Sequence, residues 1–114
     1  MKAEPIVQEL GLRPITARAS LDREVSGGYS SDLLSDVLAK SRRGDLWITL
    51  QTHLNIVAVA SMKELAGIVI VNGRRPEDET VRKAEEEGIP ILLTDLPAFE
   101  VAGRLYGLGL RGTK

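Results

Sequence analysis

Cysteine is absent from this 114-residue chain. With it go disulfides, thiol chemistry and cysteine metal sites. Histidine occurs once, at His53. A zinc or iron site would therefore need carboxylates for nearly every ligand, and neither a metal nor a cofactor is expected. Neither sign of charge dominates: 15 basic residues face 16 acidic ones, for a formal net charge of -1. That gives no global pull toward nucleic acid or an anionic membrane, and pairs such as Arg42-Arg43 and Arg74-Arg75 read as solvated. Long apolar runs are missing too. None approaches the roughly 20 residues that span a bilayer, and the opening "MKAEPIVQELG" has neither the apolar core nor the cleavage site of a signal peptide. The expectation is a soluble cytoplasmic protein with no nucleic-acid or membrane partner.

What is present is a globular balance, 43% hydrophobic and 27% charged, in a length that buries one core and leaves little room for a second. One domain over residues 1–114, with its core at about 6–110, is expected. "EPIVQELG" has Ile6, Val7 and Leu10 at helical spacing, closed by Gly11. "LRPITAR" is a weak strand. "REVSGGY" is a short strand running into a turn at Gly27-Gly28. "SSDLLSDVLAKSRRG" is a helix capped by Ser30 or Ser31, with Leu33, Leu34, Val37 and Leu38 as one apolar stripe. "DLWITL" is a strand, and Thr52 caps the helix after it, where Leu54, Val57, Ala58, Met62 and Leu65 share a face. "GIVIVNG" suits a central strand covered on both sides. "RPEDETVRKAEEEG" is a surface helix and "IPILLTD" another buried strand. "LPAFEVAGRLYGLG" is a last helix with Phe99, Ala102 and Tyr106 inward. Strands alternating with helices from Val25 onward imply parallel neighbours and right-handed crossovers. The fold class is α/β: a small layered domain with a mostly parallel sheet of roughly four or five strands flanked by helices.

Several motifs tempt and fail. "GLGLRG" is a literal G-x-G-x-x-G, but a helix precedes it and no helix follows to receive a pyrophosphate. "GLGLRGTK" inverts the last two residues of a Walker A sequence. The acids at residues 77–79 and 85–87 sit on a hydrophilic helix and read as a solvated face rather than an acid/base pair. Ser31, His53 and Asp32 could be assembled as a triad, but no nucleophile elbow is present. No catalytic residue is assigned, and the chain is read as non-enzymatic.

Ligands of open α/β sheets sit beyond the carboxyl ends of the parallel strands, against helix N-termini. The end at "GGYSSD" offers glycines, amides and hydroxyls, but Asp32 opposes an anion there. The end at "NGRRPEDE" brings acids, and "TDLPAFE" is capped by Asp95. Only "LQTHLN" has no acid in its first turn. Its amides and partial positive charge remain available, with Gln51, Thr52, His53 and Asn55 as directional partners. Gly27, Gly28, Tyr29 and Ser31 are placed beside it. These eight residues are the candidate ligand site, for a phosphate or nucleotide; the bland alternative is a plain helix cap at Thr52.

Three stretches carry a resemblance to a known family: "GGYSSDLLSDVLA", "GDLWITLQTHLNIVAVAS" and "VIVNGRRPEDETVRKAEEEGIPIL". Over about residues 6–110 the chain resembles a DRTGG domain. The naming letters are not spelled out, since Asp22-Arg23 is followed by Glu-Val-Ser-Gly-Gly. The resemblance implies a fold similar to the N-terminal domain of HPr kinase/phosphorylase, without the P-loop of the catalytic half of that enzyme. It also implies a regulatory role. Similar domains lie between CBS domains of some inorganic pyrophosphatases and within some phosphotransacetylases, where they contribute to dimer contacts and nucleotide response. The expectation is a homodimeric regulator that senses a nucleotide or related metabolite. The alternative is an interaction subunit that docks on a separately encoded partner enzyme, its gene nearby, and binds no small molecule.

Overall fold

The computed structural model describes residues 1–112. Eleven elements follow one another: α1 (Ala3–Leu10), β1 (Arg13–Pro14), a short 3-10 turn (Arg18–Ser20), β2 (Gly27–Ser30), α2 (Leu34–Lys40), β3 (Asp45–Thr49), α3 (Asn55–Met62), β4 (Gly67–Ile70), α4 (Asp78–Glu87), β5 (Ile91–Leu93) and α5 (Ala98–Gly107). One five-stranded sheet has the order β1-β5-β4-β3-β2. β2 to β5 pair in parallel, and β1 closes one edge antiparallel to β5 through the Arg13–Leu93 and Pro14–Leu92 registers. The α/β class and the mostly parallel sheet expected from sequence are what the chain forms.

Strand alternation explains the two cores. Leu46, Ile48, Val69, Val71 and Leu92 point to one face, where Ile6, Val7 and Leu10 of α1 and Val101 and Leu105 of α5 cover them. Trp47, Ile68, Ile70, Ile91 and Leu93 point to the other, under Val37 of α2, Ile56, Val57, Val59 and Ala60 of α3 and Ala84 of α4. Because the side-chain period of a strand is two, a strand buried on both faces is apolar along its length, as β4, β5 and the Leu46–Trp47–Ile48 centre of β3 are, with the polar Asp45 and Thr49 at the ends of β3. The three consecutive crossovers place α2, α3 and α4 on one side, and the chain changes sides after β5 to lay α5 across β2 and β3.

Several local expectations need correction. Gly27 and Gly28 lie within β2 rather than in a turn, paired with Asp45 and Leu46. Neither Ser30 nor Ser31 caps α2 by a side-chain hydrogen bond: Leu33 holds the N-cap position, while the Ser31 hydroxyl accepts from the Leu33 amide. Leu33 and Leu38 are exposed, leaving Val37 as the buried contact. On α3 the buried face is Ile56, Val57, Val59 and Ala60. Ala58 is exposed, and Met62 is 71% exposed. On α5, Val101 and Leu105 face inward, while Phe99 and Tyr106 are 88% and 60% exposed.

Candidate functional site

The carboxyl ends of β2 and β3 are joined by one hydrogen-bond network. Asp32, just past β2, accepts on Oδ1 from the Thr49 hydroxyl at 2.8 Å and from the Leu50 amide at 2.9 Å. Its backbone carbonyl accepts from the Gln51 side-chain amide at 2.8 Å. Trp47, fully buried in β3, sends its indole N–H to the Ser31 carbonyl at 2.8 Å. Tyr29 donates its hydroxyl to Asp36 at 2.7 Å. That bond holds the Asp36 carboxyl below the usual carboxylate range, helped by Ser31, and pushes the Tyr29 hydroxyl up. The Asp32 carboxylate is thus turned onto the β3 end, and Ser31 and Gln51 meet around it.

The β3–α3 loop behaves differently from a simple cap. Thr52 does not cap α3, which starts at Asn55 with Leu54 before it. The Thr52 carbonyl instead accepts from the Glu77 amide at 3.2 Å and the Thr80 hydroxyl at 2.9 Å, tying the loop to the start of α4. No side chain caps α3 at Leu54; just ahead of it, His53 Nδ1 accepts from the Asn55 amide at 3.2 Å and the His53 carbonyl accepts from the Ile56 amide. An accepting Nδ1 leaves Nε2–H as the donor of the neutral ring. Among the described helices, α3 is the one whose first turn holds no acid: Glu4, Asp36, Asp78 with Glu79, and Glu100 occupy the others.

The eight sequence-predicted residues do not share one cavity. Gly28 and Tyr29 border a cavity of about 190 Å³ beneath α5, completed by Ser30, Ile48, Leu105 and Tyr106. His53 and Asn55 border an open groove of about 510 Å³ between α3 and α4, with Val57, Met62 and Lys83. Gln51 and Ser31 lie with Asp32 at the strand ends. Gly27 is buried against the Arg111 carbonyl. The triad drawn from Ser31, His53 and Asp32 finds each member bonded elsewhere, to Leu33, Asn55 and the Thr49–Leu50 pair.

Two residues escaped the sequence reading. Arg23 donates to the carbonyls of Ser20, Ala66 and Gly88 at 3.0, 3.4 and 2.9 Å, stapling the segment before β2 to the entrances of β4 and β5. Arg111 lays its guanidinium 3.8 Å over the Tyr106 ring at the mouth of the α5 cavity, a cation–π contact. The only signal for it was an arginine a few residues beyond a helical tyrosine.

A mostly parallel sheet flanked on both faces, with its polar groups gathered at strand ends, defines a small layered α/β domain. The chain belongs to the DRTGG domain family, whose model matches residues 13–108. A structural neighbour is the CBS and DRTGG domains of the regulatory region of Clostridium perfringens pyrophosphatase, complexed with its activator diadenosine tetraphosphate. The TM-score is 0.69 at 15% identity, with 96% of this chain and 47% of the neighbour covered. This chain therefore spans about half the length of that structure, and at such low identity the likeness is one of fold. No curated protein matches the sequence.

Proposed function

We propose that this chain is a non-catalytic regulatory module, working as a homodimer, that responds to a nucleotide or related phosphate-bearing metabolite at the β3–α3 loop. Gln51, Thr52, His53 and Asn55 form the primary contact, and Gly27, Gly28, Tyr29 and Ser31 the neighbouring strand end. The observation that carries the proposal is the acid-free start of α3. The Asn55, Ile56 and Val57 amides are taken by His53 and Leu54, but the partial positive charge of the helix start remains, and an anion is favoured where no carboxylate in the first turn neutralises it. The Asp32 carboxylate is fixed by Thr49 and Leu50 at the β3 end, so an anion is placed on the α3 side of the loop, away from it. Fold similarity to a regulatory region complexed with a dinucleotide activator supports the ligand class.

The test is a titration with AMP, ATP and diadenosine polyphosphates, followed by amide NMR. The expected result is a saturable shift of residues 51–56 for one of them. Amides that stay unmoved across the whole panel would refute the site.

A second reading has its own support. The groove between α3 and α4 is apolar along Leu54, Val57, Ala58 and Met62 and edged by Lys83 and Glu87. Such a face suits a protein partner, here a metabolic enzyme or kinase encoded separately. Co-purification of one stoichiometric enzyme, lost in Met62→Glu, would favour this reading.

A further inference from the structure

We infer that the cavity beneath α5 is a second ligand site, one that takes a small monocarboxylate with an aromatic or branched aliphatic body. The inference is independent of the nucleotide reading above, which concerns the β3–α3 loop. The cavity holds about 190 Å³. Its walls are hydrocarbon along Ile48, Ala102, Leu105 and Leu110, and all of these but Ala102 are buried in the folded chain. Folded interiors hold few voids larger than a water molecule, and unfilled volume costs stability. Water fills such a space poorly, because a held water needs polar partners and an apolar cavity stays dry. A cavity of about 150 Å³ holds benzene, so this one accepts a phenyl ring with one or two further carbons.

Gly28 points to the same use. Its bare backbone lines the cavity from β2. Glycine weakens a strand interior unless a positive φ or a close approach calls for it. Neither applies here. Gly28 is not among the positive-φ residues, and an added Cβ would sit at ordinary distances of 3.7 Å from the Leu46 carbonyl and 4.0 Å from Leu105. What the missing side chain does is leave the space under Leu105 open. Charge is supplied at the mouth. Arg111 borders the cavity and lies 3.8 Å over the Tyr106 ring. Its Nη1 donates to the Tyr106 and Leu110 carbonyls at 3.0 and 2.9 Å, which fixes the guanidinium at the rim. The remaining donors, on Nε and Nη2, make no hydrogen bond among the described residues, and no carboxylate among them pairs with Arg111. A cation at the rim of a hydrocarbon cavity is the complement of an anion with an apolar body. The body lies under α5, and the carboxylate meets the fork of Nε and Nη2, the two-point geometry that arginine offers a carboxylate.

The probe is phenylacetate, with benzyl alcohol and benzylamine as its neutral and cationic counterparts. Ligands of this size reach dissociation constants of about 0.1–1 mM. Followed by amide NMR, phenylacetate should shift Gly28, Ile48, Leu105 and Leu110 saturably and leave residues 51–56 unmoved. Benzyl alcohol should bind about tenfold more weakly, and benzylamine more weakly still. Arg111→Gln keeps the backbone and should weaken phenylacetate about tenfold while leaving benzyl alcohol unchanged; an arginine with a merely structural role would move both alike. Gly28→Val and Ala102→Leu fill the cavity from its two sides. Each should abolish binding of the whole panel with an unchanged circular dichroism spectrum and an equal or higher Tm. A parent chain that shows no saturable shift up to about 10 mM phenylacetate would overturn the site. So would binding that survives in either filled variant. Equal affinity for phenylacetate and benzyl alcohol would overturn the placing of an anion on Arg111.

Discussion

Adding one methyl group at Gly27 should cost the fold about 2–4 kcal/mol. An alanine Cβ at this position would lie 2.4 Å from the Arg111 carbonyl oxygen and 3.0 Å from Asp45 Oδ1. The first contact is with backbone, so no rotamer change relieves it. The segment at Arg111 runs along the free edge of β2, where its carbonyl accepts from the Gly28 amide at 3.2 Å. Relief requires that segment to leave, at about 1 kcal/mol for the lost hydrogen bond and about 1–3 kcal/mol for the overpacking around it. Urea denaturation followed by far-ultraviolet circular dichroism measures the loss. Two neighbouring tests set the sign. Gly28→Ala would make ordinary contacts at 3.7 Å with the Leu46 carbonyl and 4.0 Å with Leu105, so little change is expected. Gly103→Ala, into open space on α5, should gain about 0.5–1 kcal/mol in the monomer from helix propensity. The decisive measurement is a double-mutant cycle with a chain truncated after Leu110. With Arg111 gone, most of the Gly27→Ala penalty should vanish. If the penalty is the same in both backgrounds, or if Gly27→Ala is neutral in the full chain, the steric account of this glycine is wrong.

Two further perturbations bear on the core. The Thr16 hydroxyl is buried, donating to the Ile89 carbonyl at 2.6 Å and accepting from the Ile91 amide at 2.8 Å. Thr16→Val should lose about 2–3 kcal/mol by stranding both groups, and a loss below about 0.5 kcal/mol would show that the clamp is dispensable. Burial pushes the Asp45 carboxyl above the usual carboxylate range, against the Arg42 amide and the Arg42 and Lys63 charges that pull it down. A raised folded-state value favours the protonated form in the fold. The associated stability is therefore complete below the ordinary aspartate value of about 4 and lost as pH rises through the folded one. Asp45→Asn keeps an acceptor for the Arg42 amide. It should thus be more stable than the parent near neutrality, with the gap closing in acid. A gap that widens in acid would reverse the assignment.

The parts of the fold that could be read from sequence are those decided by near neighbours in the chain. The runs in β3, β4 and β5 are apolar because both faces are covered, and that pattern survives without knowing what covers them. Gly11 and Gly88 end their helices in the left-handed region, as their positions suggest. What could not be read was decided by distant residues. Gly27 and Gly28 resemble a turn, yet they lie in a strand, and at Gly27 the Arg111 carbonyl passes too close for a side chain. Thr52 has the composition of a cap, but α4 claims its carbonyl and the helix begins three residues later. Helix α5 carries two apolar stripes, Ala98–Val101–Leu105 and Phe99–Ala102–Tyr106 by position. Size favours the second for the core, while the fit against β2 and β3 selects the first.

The candidate site divides along the same line. That the β3–α3 loop lacks an acid is visible in the letters alone. That Asp32 turns onto Thr49 and Leu50 at the β3 end, and that His53 bonds the Asn55 amide ahead of α3, depends on how two strand ends sit side by side. The motif-like Asp22-Arg23 and Gly27-Gly28 are bound up with framework contacts, Arg23 through three carbonyls and Gly27 through a close backbone approach.

The hydrogen bond from Trp47 to the Ser31 carbonyl has an optical consequence. The single indole of the chain is shielded from solvent, yet its N–H ends on the loop that opens the candidate site. Emission energy and lifetime of an indole depend on the dipoles around its nitrogen. The molecule therefore carries a built-in, label-free fluorophore whose signal is wired to the β2–α2 loop, and motion of Ser31 can be watched in the unmodified protein in real time.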